Sequence, residues 1–160
     1  MILVVHGGAG SKRPTINALK KISESLSSGY KVLNKGGTAL DAVVKSITIL
    51  EDSGVFNAGS GGNLQLDGVR RLDASLMEGV NLKVGAAIGI EGVKNPIQLA
   101  RIIMDLPNVI LTNTGAKKIA DAHQLARLPE EDKTALKRLK KTYREEKQVR
   151  RLYEEYFSTV

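Results

Sequence analysis

Glycine sets the terms on which this chain can fold. Sixteen of its 160 residues are glycine, and half of them crowd into three short stretches: "HGGAG" at 6–10, "KGG" at 35–37 and "FNAGSGG" at 56–62. A residue without Cβ marks places where backbone turns sharply or is approached closely. Helices and strands do not run through such clusters, so the chain is cut into segments that can be read separately. Its length suits one domain.

The segment "ILVV" before "HGGAG" reads as a buried strand entering a glycine turn. Residues 16–33 place Ile16, Leu19, Ile22, Leu26, Tyr30 and Leu33 on one helical face. "KGG" stops that helix, and Thr38 is placed to cap the next, "TALDAVVKSITILED". After the third glycine cluster the pattern alternates. "LQL" and "RRLDASL" around Asp67–Gly68 predict a hairpin. "KVGAAIGI" predicts a strand whose small residues allow close layer packing. "NPIQLARIIMDL" predicts a helix with Asn95 as cap and Pro96 at its first position. "NVILT" reads as a strand and "TGAKKIADAHQLAR" as a helix. The order β-α-α-β-β-β-α-β-α predicts a layered α+β domain over residues 1–128, not a doubly wound sheet.

From Pro129 the character changes. Between 133 and 151 nine basic residues face two acidic ones, which accounts for the whole net charge of +7. Leu136, Leu139 and Tyr143 form only a thin stripe. Residues 129–158 therefore read as a basic helical or disordered linker. Such a tail can attract nucleic acid electrostatically, but it carries no nucleic-acid motif. The linker reading is preferred, with no nucleic-acid partner expected.

Composition removes several chemistries. There is no Cys and no Trp, and aromatics make up 4%. Disulfides, thiolate metal sites and cysteine nucleophiles are thereby excluded. His6 and His123 lie too far apart in sequence to read as a metal-ligand pair. No apolar run has the length of a membrane span, and "ILVV" lacks the length and basic flank of a signal segment. A cytoplasmic protein without membrane association is expected.

The motifs are individually ambiguous. "HGGAG" is a possible phosphate cradle, but it lacks the GxGxxG spacing opening into a helix. A tight turn with His6 hydrogen-bonded inside it is the preferred reading. "FNAGSGG" reads either as a surface loop or as an irregular loop whose backbone carbonyls bind a hard cation. Spacing does not decide between them. Asp73, on a strand, pairs on paper with Glu78 for acid–base work, but a structural carboxylate is preferred. Lys94 and Arg101 read as surface charges, and Arg13 as a weak carboxylate-binding candidate. No nucleophile stands beside a base.

Taken in order, "HGGAG", "GGTALDAV", "LEDSGVFNAGSG", "LDASLMEG" and "VKNPIQLAR" resemble the plant-type asparaginase / isoaspartyl aminopeptidase family, over residues 1 to about 126. The resemblance implies a threonine N-terminal-nucleophile hydrolase with a four-layer αββα sandwich, cut by itself into an α and a β chain. This chain resembles the α chain, completed by a β chain from the same precursor in a dimer of αβ units. The implied reaction hydrolyses the side-chain amide of L-asparagine and β-aspartyl dipeptides, a small aspartyl-amide substrate class. No organic cofactor is implied. A structural sodium ion is implied on the main-chain oxygens of Leu50, Glu51, Ser53, Phe56, Ala58 and Ser60. Asn57 matches the residue that holds this loop to the active site, while His6, Gly7 and Gly8 match a structural opening motif.

The family's nucleophile heads a "TVG" motif. Either Thr159 is that threonine, or "FSTV" closes the α chain and the nucleophile follows. The first is favoured because "STV" falls where the family carries the motif. The substrate-gripping Arg and Asp lie on the family's β chain. Two departures stand out: Ser60 where a basic residue is usual, and "TNTGA" where "GEGA" is usual. Either can alter substrate range without altering the fold. Alternatives are a glycosylasparaginase, disfavoured without a signal segment, a threonine aspartase-type protease, or a non-catalytic basic-tailed binding module.

Overall fold

The computed structural model describes residues 1–9, 13–129, 134, 136, 137, 139–141 and 147–156. Its elements are α1 (Ile16–Asn34), α2 (Ala39–Asp52), a 3₁₀ turn (Gly59–Gly61), β1 (Leu72–Met77), β2 (Val84–Ile90), α3 (Pro96–Ile103), β3 (Ile110–Thr112), α4 (Asn113–Ala122) and α5 (Lys147–Tyr156). The domain is mixed α+β, with helices packed on a three-stranded sheet of order β1-β2-β3.

α1 and α2 form an antiparallel-style pair joined by the "KGG" turn. Thr15 caps α1 by accepting from the Ala18 amide at 3.1 Å. Gly36, at φ +82°, lets the chain leave α1 in a conformation that side chains disfavour. Thr38 then opens α2 with a full capping box. Its hydroxyl accepts from the Asp41 amide, and the Asp41 carboxylate accepts from the Thr38 amide.

The predicted apolar face of α1 is not the face it buries. Ile16 is 87% exposed, and Leu19, Leu26 and Tyr30 are also exposed. α1 instead presents Ser25 and Gly29 to α2. Ser25 Oγ donates to the Ser46 carbonyl at 2.8 Å, and Ser46 Oγ donates back to the Ser25 carbonyl at 3.2 Å. A Cβ at Gly29 would overlap Ser46 Oγ and lie 2.9 Å from the Ala42 carbonyl. Small side chains won this face because they let two backbones approach and exchange hydrogen bonds.

The sheet carries the core. β1 and β2 pair antiparallel with a bulge between Leu72 and Ala74, while β2 and β3 run parallel. β2-α3-β3 is thus a parallel crossover, which the strand signals alone did not indicate. The predicted hairpin at Asp67–Gly68 shrinks to one bridge, Leu64 to Arg70, around a tight turn. The longer antiparallel partner of β1 is β2. Ala87, Ile90, Val93, Leu99, Ile103, Ala116 and Ala120 form one buried cluster between β2, α3 and α4. Leu76, Ile97, Ala100 and Met104 form a second, which reaches α2. Gly85 is the closest point, since a Cβ there would overlap the Ala100 carbonyl of α3.

"ILVV" differs from its expected buried strand. Among the described residues it pairs with no strand, and Ile2 and Val4 are 90% and 82% exposed. Leu3 and Val5 turn inward, with the Leu3 side chain against Gly29. The other sheet face also stays open, exposing Met77, Ile88 and Ile110. Part of segment 129–158 lies outside the described residues. Within it α5 carries an Arg150–Glu154 ion pair at 2.8 Å and exposes Leu152 and Tyr156.

Three substitutions test this architecture. Alanine at Gly29 gains about 1 kcal/mol of helix propensity but meets atoms that cannot yield, an overpacking cost of about 1–3 kcal/mol. Gly29→Ala is expected to lower the urea midpoint. Thr38→Ala is expected to cost about 1 kcal/mol. The Asp41 carboxyl is held below its ordinary range by the Thr38 hydroxyl and then the Thr38 amide. A depressed folded pKa stabilises above the unfolded value and loses that stabilisation as pH falls. Asp41→Asn is therefore expected to be less stable than the parent at pH 7, with the gap closing below about pH 4, as read by thermal unfolding.

Candidate functional site

The site begins where α2 ends. Ser53 closes the helix, donating from its amide (3.2 Å) and its hydroxyl (2.7 Å) to the Leu50 carbonyl. Gly54 follows at φ +65°, and the Val55 amide returns to Ser53 Oγ at 3.2 Å. The loop then coils on itself. The Ala58 amide donates to the Phe56 carbonyl, and the Gly61 amide to the Ala58 carbonyl. Asn57 Oδ1 accepts from the Asn63 amide at 2.7 Å and fastens the loop across its neck.

The glycines of this loop are filled by carbonyl oxygens. A Cβ at Gly59, itself at φ +51°, would lie 2.6 Å from the Glu51 carbonyl. One at Gly61 would overlap the Phe56 carbonyl and sit 2.9 Å from that of Gly54. The carbonyls of Glu51, Gly54 and Phe56 therefore face the glycine backbone from the α2 side. Neutral oxygens gathered by an irregular backbone suit a hard cation. Among the described residues no group of three His, Cys, Asp or Glu side chains offers a competing metal site. Of the six expected ligands, Leu50 already accepts two donors from Ser53, and the Ser60 carbonyl accepts from Arg70 Nη1 at 3.2 Å. The Phe56 and Ala58 carbonyls likewise accept one donor each, from the Ala58 and Gly61 amides, and a carbonyl with one donor keeps a second lone pair.

The glycine turn at the start of the chain reaches the same loop. A Cβ at Gly7 would be 2.6 Å from the Phe56 ring and 2.9 Å from Ile22. His6 Nδ1 accepts from the Gly8 amide at 3.1 Å, and Gly8 has φ +98°. His6, Gly7 and Gly8 thus form a tight turn seated on the loop, with the imidazole occupied locally.

Below the loop a cleft of about 170 Å³ is lined by Glu51, Asn57, Ala58, Gly59, Arg71, Leu72, Asp73 and Pro96. Asp73 Oδ1 accepts from the Gly89 amide at 2.7 Å, spanning the β1–β2 bulge. Glu78 does not join it. It sits five residues on, roughly 16 Å along the strand, and its carboxylate is held below its ordinary range by the Asn81 and Val80 amides. Arg71, not singled out in the sequence, is fixed by Asp67 (2.6 Å), Gln65 (2.7 Å) and Glu91 (2.9 Å). Nothing in its spacing marked it, because two of its acceptors depend on the turn and on β2. Lys94 pairs with Asp52 at 2.8 Å and Arg101 with Asp105 at 2.6 Å.

Glu51 is the buried charge of the site, at 2% exposure. Its Oε1 accepts from the Ile97 amide and its Oε2 from Asn95 Nδ2, each at 3.1 Å. Burial pushes its pKa up to about 7 against those two bonds, with the Asp52 charge acting in the same direction as burial. Partial burial also opposes ionisation of Asp52, but Lys94 and Asn95 outweigh it and hold its pKa low. The expected Asn95 cap differs in detail. Pro96 does take the first position of α3, but Asn95 turns its amide to Glu51 and Asp52, and Glu51 caps α3 from another helix. Thr159 lies outside the described residues.

Residues of "LEDSGVFNAGSG", "LDASLMEG" and "VKNPIQLAR" line this cleft, and "HGGAG" packs on the loop through Gly7 and Phe56. A model of the Asparaginase family matches residues 1–158. The chain belongs to the asparaginase family. It is 43% identical over 142 residues to the plant-type L-asparaginase of Pyrococcus abyssi, covering 86% of this chain and 45% of that protein. It is 38% identical over 154 residues to the isoaspartyl peptidase/L-asparaginase of Mus musculus, covering 92% and 46%. The asparaginase-family chain thus spans about half the length of the curated relatives it matches. Among its described residues no helix is long and apolar enough to cross a membrane.

The loop geometry makes a direct prediction. Gly61→Ala must push the 59–61 turn away from the Phe56 carbonyl, because both clashing groups are backbone. It is expected to cost at least about 1–3 kcal/mol. Chemical denaturation of the variant against the parent checks it, with no change in midpoint as the contrary result.

Proposed function

We propose that this chain is the α-side half of a threonine-dependent asparaginase and isoaspartyl peptidase. The observation that carries the reading is the convergence of the His6–Gly8 turn, the Phe56–Gly62 loop and the Asp73 strand on one side of the fold, in a chain of this family. The open sheet face and the exposed Ile2 and Val4 suit cover by a second layer, as a four-layer sandwich with a β chain supplies. Two such αβ units form the proposed dimer, and residues 129–158 serve as the linker before the cleavage point.

The chemistry follows from a hydroxyl that lacks a neighbouring base. Thr159 Oγ attacks the carbonyl of the preceding residue. The peptide C–N bond breaks, an ester forms, and water hydrolyses it to leave a free α-amine on the threonine. That amine can then accept the Oγ proton when the hydroxyl attacks an aspartyl side-chain amide. The proton passes to the departing nitrogen, which leaves as ammonia or as the amine of the next residue. Water cleaves the β-aspartyl ester and regenerates the threonine. On this reading Asn57 and the turn at His6, Gly7 and Gly8 hold the loop, and Asp73 holds the bulge beside the cleft. A sodium ion on the main-chain oxygens of Leu50, Glu51, Ser53, Phe56, Ala58 and Ser60 would stiffen the loop. At Leu50, Phe56, Ala58 and Ser60 it must share the carbonyl with Ser53, the Ala58 amide, the Gly61 amide and Arg70 respectively.

Expression of the full coding region, followed by intact mass, N-terminal sequencing and assay of amine release, tests this. A second chain beginning at Thr159 is expected, with hydrolysis of L-asparagine and a β-aspartyl dipeptide. Thr159→Ala is expected to stop both cleavage and turnover, a loss of at least about 10³-fold. A second chain that starts at another threonine moves the nucleophile there. An uncut protein that still hydrolyses asparagine overturns the proposal.

A further inference from the structure

We propose that the Glu51 side chain is a positioning residue for the loop's cation. It sets the geometry of the carbonyls by clamping the end of α2 against the start of α3. This rests on the cation-loop reading above and concerns a group that reading does not use, since the loop's expected ligands are main-chain oxygens.

Three contacts meet at this one residue. Its carboxylate takes the Ile97 amide and Asn95 Nδ2, so the first turn of α3 is hung on it. Its backbone forms the floor beneath Gly59, where a Cβ would stand 2.5 Å from Glu51 Cβ and 2.6 Å from its carbonyl oxygen. Its own carbonyl is one of the gathered oxygens. α3 in turn is seated on β2 through Gly85 and buries Ile97, Ala100 and Ile103. The carboxylate therefore ties the loop's first carbonyls to the buried contact between α3 and β2. Asp52 also holds the end of α2 to the start of α3, through Asn95 Nδ2 and Lys94, but it is partly exposed; the Glu51 carboxylate is the buried tie and the one that takes the Ile97 amide. A cation site is sensitive to displacement of its ligands, and partners that orient ligands are typically worth about 10–100-fold in metal affinity.

The test uses the complete, matured protein and sodium chloride titrated against choline chloride at constant ionic strength. Sodium affinity is read from ²³Na line broadening and from the sodium-dependent rise in Tm. The parent is expected to respond to sodium. Glu51→Ala is expected to weaken binding by at least about 10-fold. Glu51→Gln, which can still accept from Ile97, is expected to restore it to within about threefold. Gly29→Ala, a destabilising change far from the loop, is expected to lower Tm without moving sodium affinity. That contrast separates positioning from general loss of stability. Should Glu51→Ala fail to fold, Asn95→Ala decides; it removes the Oε2 half of the clamp together with the Asn95–Asp52 bond, and is expected to weaken sodium binding more than Asp52→Asn does. Sodium affinity unchanged in Glu51→Ala or, where that variant does not fold, no weaker in Asn95→Ala than in Asp52→Asn, overturns the role of Glu51 alone. A parent with no sodium response overturns the cation-loop reading itself.

Discussion

The fold is organised around a hydrogen bond between two helices that are distant in sequence. The Ile97 amide at the start of α3 finds its acceptor on Glu51, 46 residues earlier. A helix start normally borrows a cap from its own flanking residue, and Asn95 stands in the right place for that. Its amide is used instead to hold the same carboxylate from the other side. A buried carboxyl with only neutral partners is costly, and the raised pKa of Glu51 records that cost. The compensation is geometric. One carboxylate fixes α2 to α3, and therefore fixes the glycine loop that grows from α2 to the sheet on which α3 lies.

This explains why the elements were legible in the sequence and their junctions were not. The helix periods, the Thr38 cap, the Pro96 start and the small residues of "KVGAAIGI" act locally, so short windows reveal them. The face of α1 was misjudged because hydrophobic periodicity weighs Leu19 and Leu26 above Ser25 and Gly29. Close approach to α2 selected the smaller pair. "ILVV" reads as a strand by composition, yet a strand needs a neighbour, and among the described residues it has none. Asn57 and the turn at His6–Gly8 were legible through the motifs. Their meeting through Gly7 and Phe56 was not, because nothing in either motif names the other. Arg71 and the Glu51 side chain were invisible as site groups for the same reason.

Apolar side chains are exposed on several elements. Met77, Ile88 and Ile110 lie on the uncovered sheet face, and Ile2 and Val4 are exposed on the unpaired N-terminal segment. Apolar groups on a sheet face or along an unpaired segment invite association. The well-packed clusters lie on the other side, among β2, α3, α4 and α2. The packed clusters thus lie on the α3 face of the sheet, while its opposite face and the outer face of α1 stay exposed.

Charge in the cleft narrows what this half can contribute to substrate recognition. Arg71 is the cation among the residues that line it, but Asp67 and Glu91 already meet its guanidinium. Asp73 adds a further carboxylate and commits one oxygen to Gly89. A guanidinium held between two carboxylates is a poor anchor for a third, because their like charges repel the newcomer. The α-side wall therefore favours amide and ammonium groups over a free carboxylate. On the proposed function, the grip on the substrate's α-carboxylate then has to come from outside this cleft.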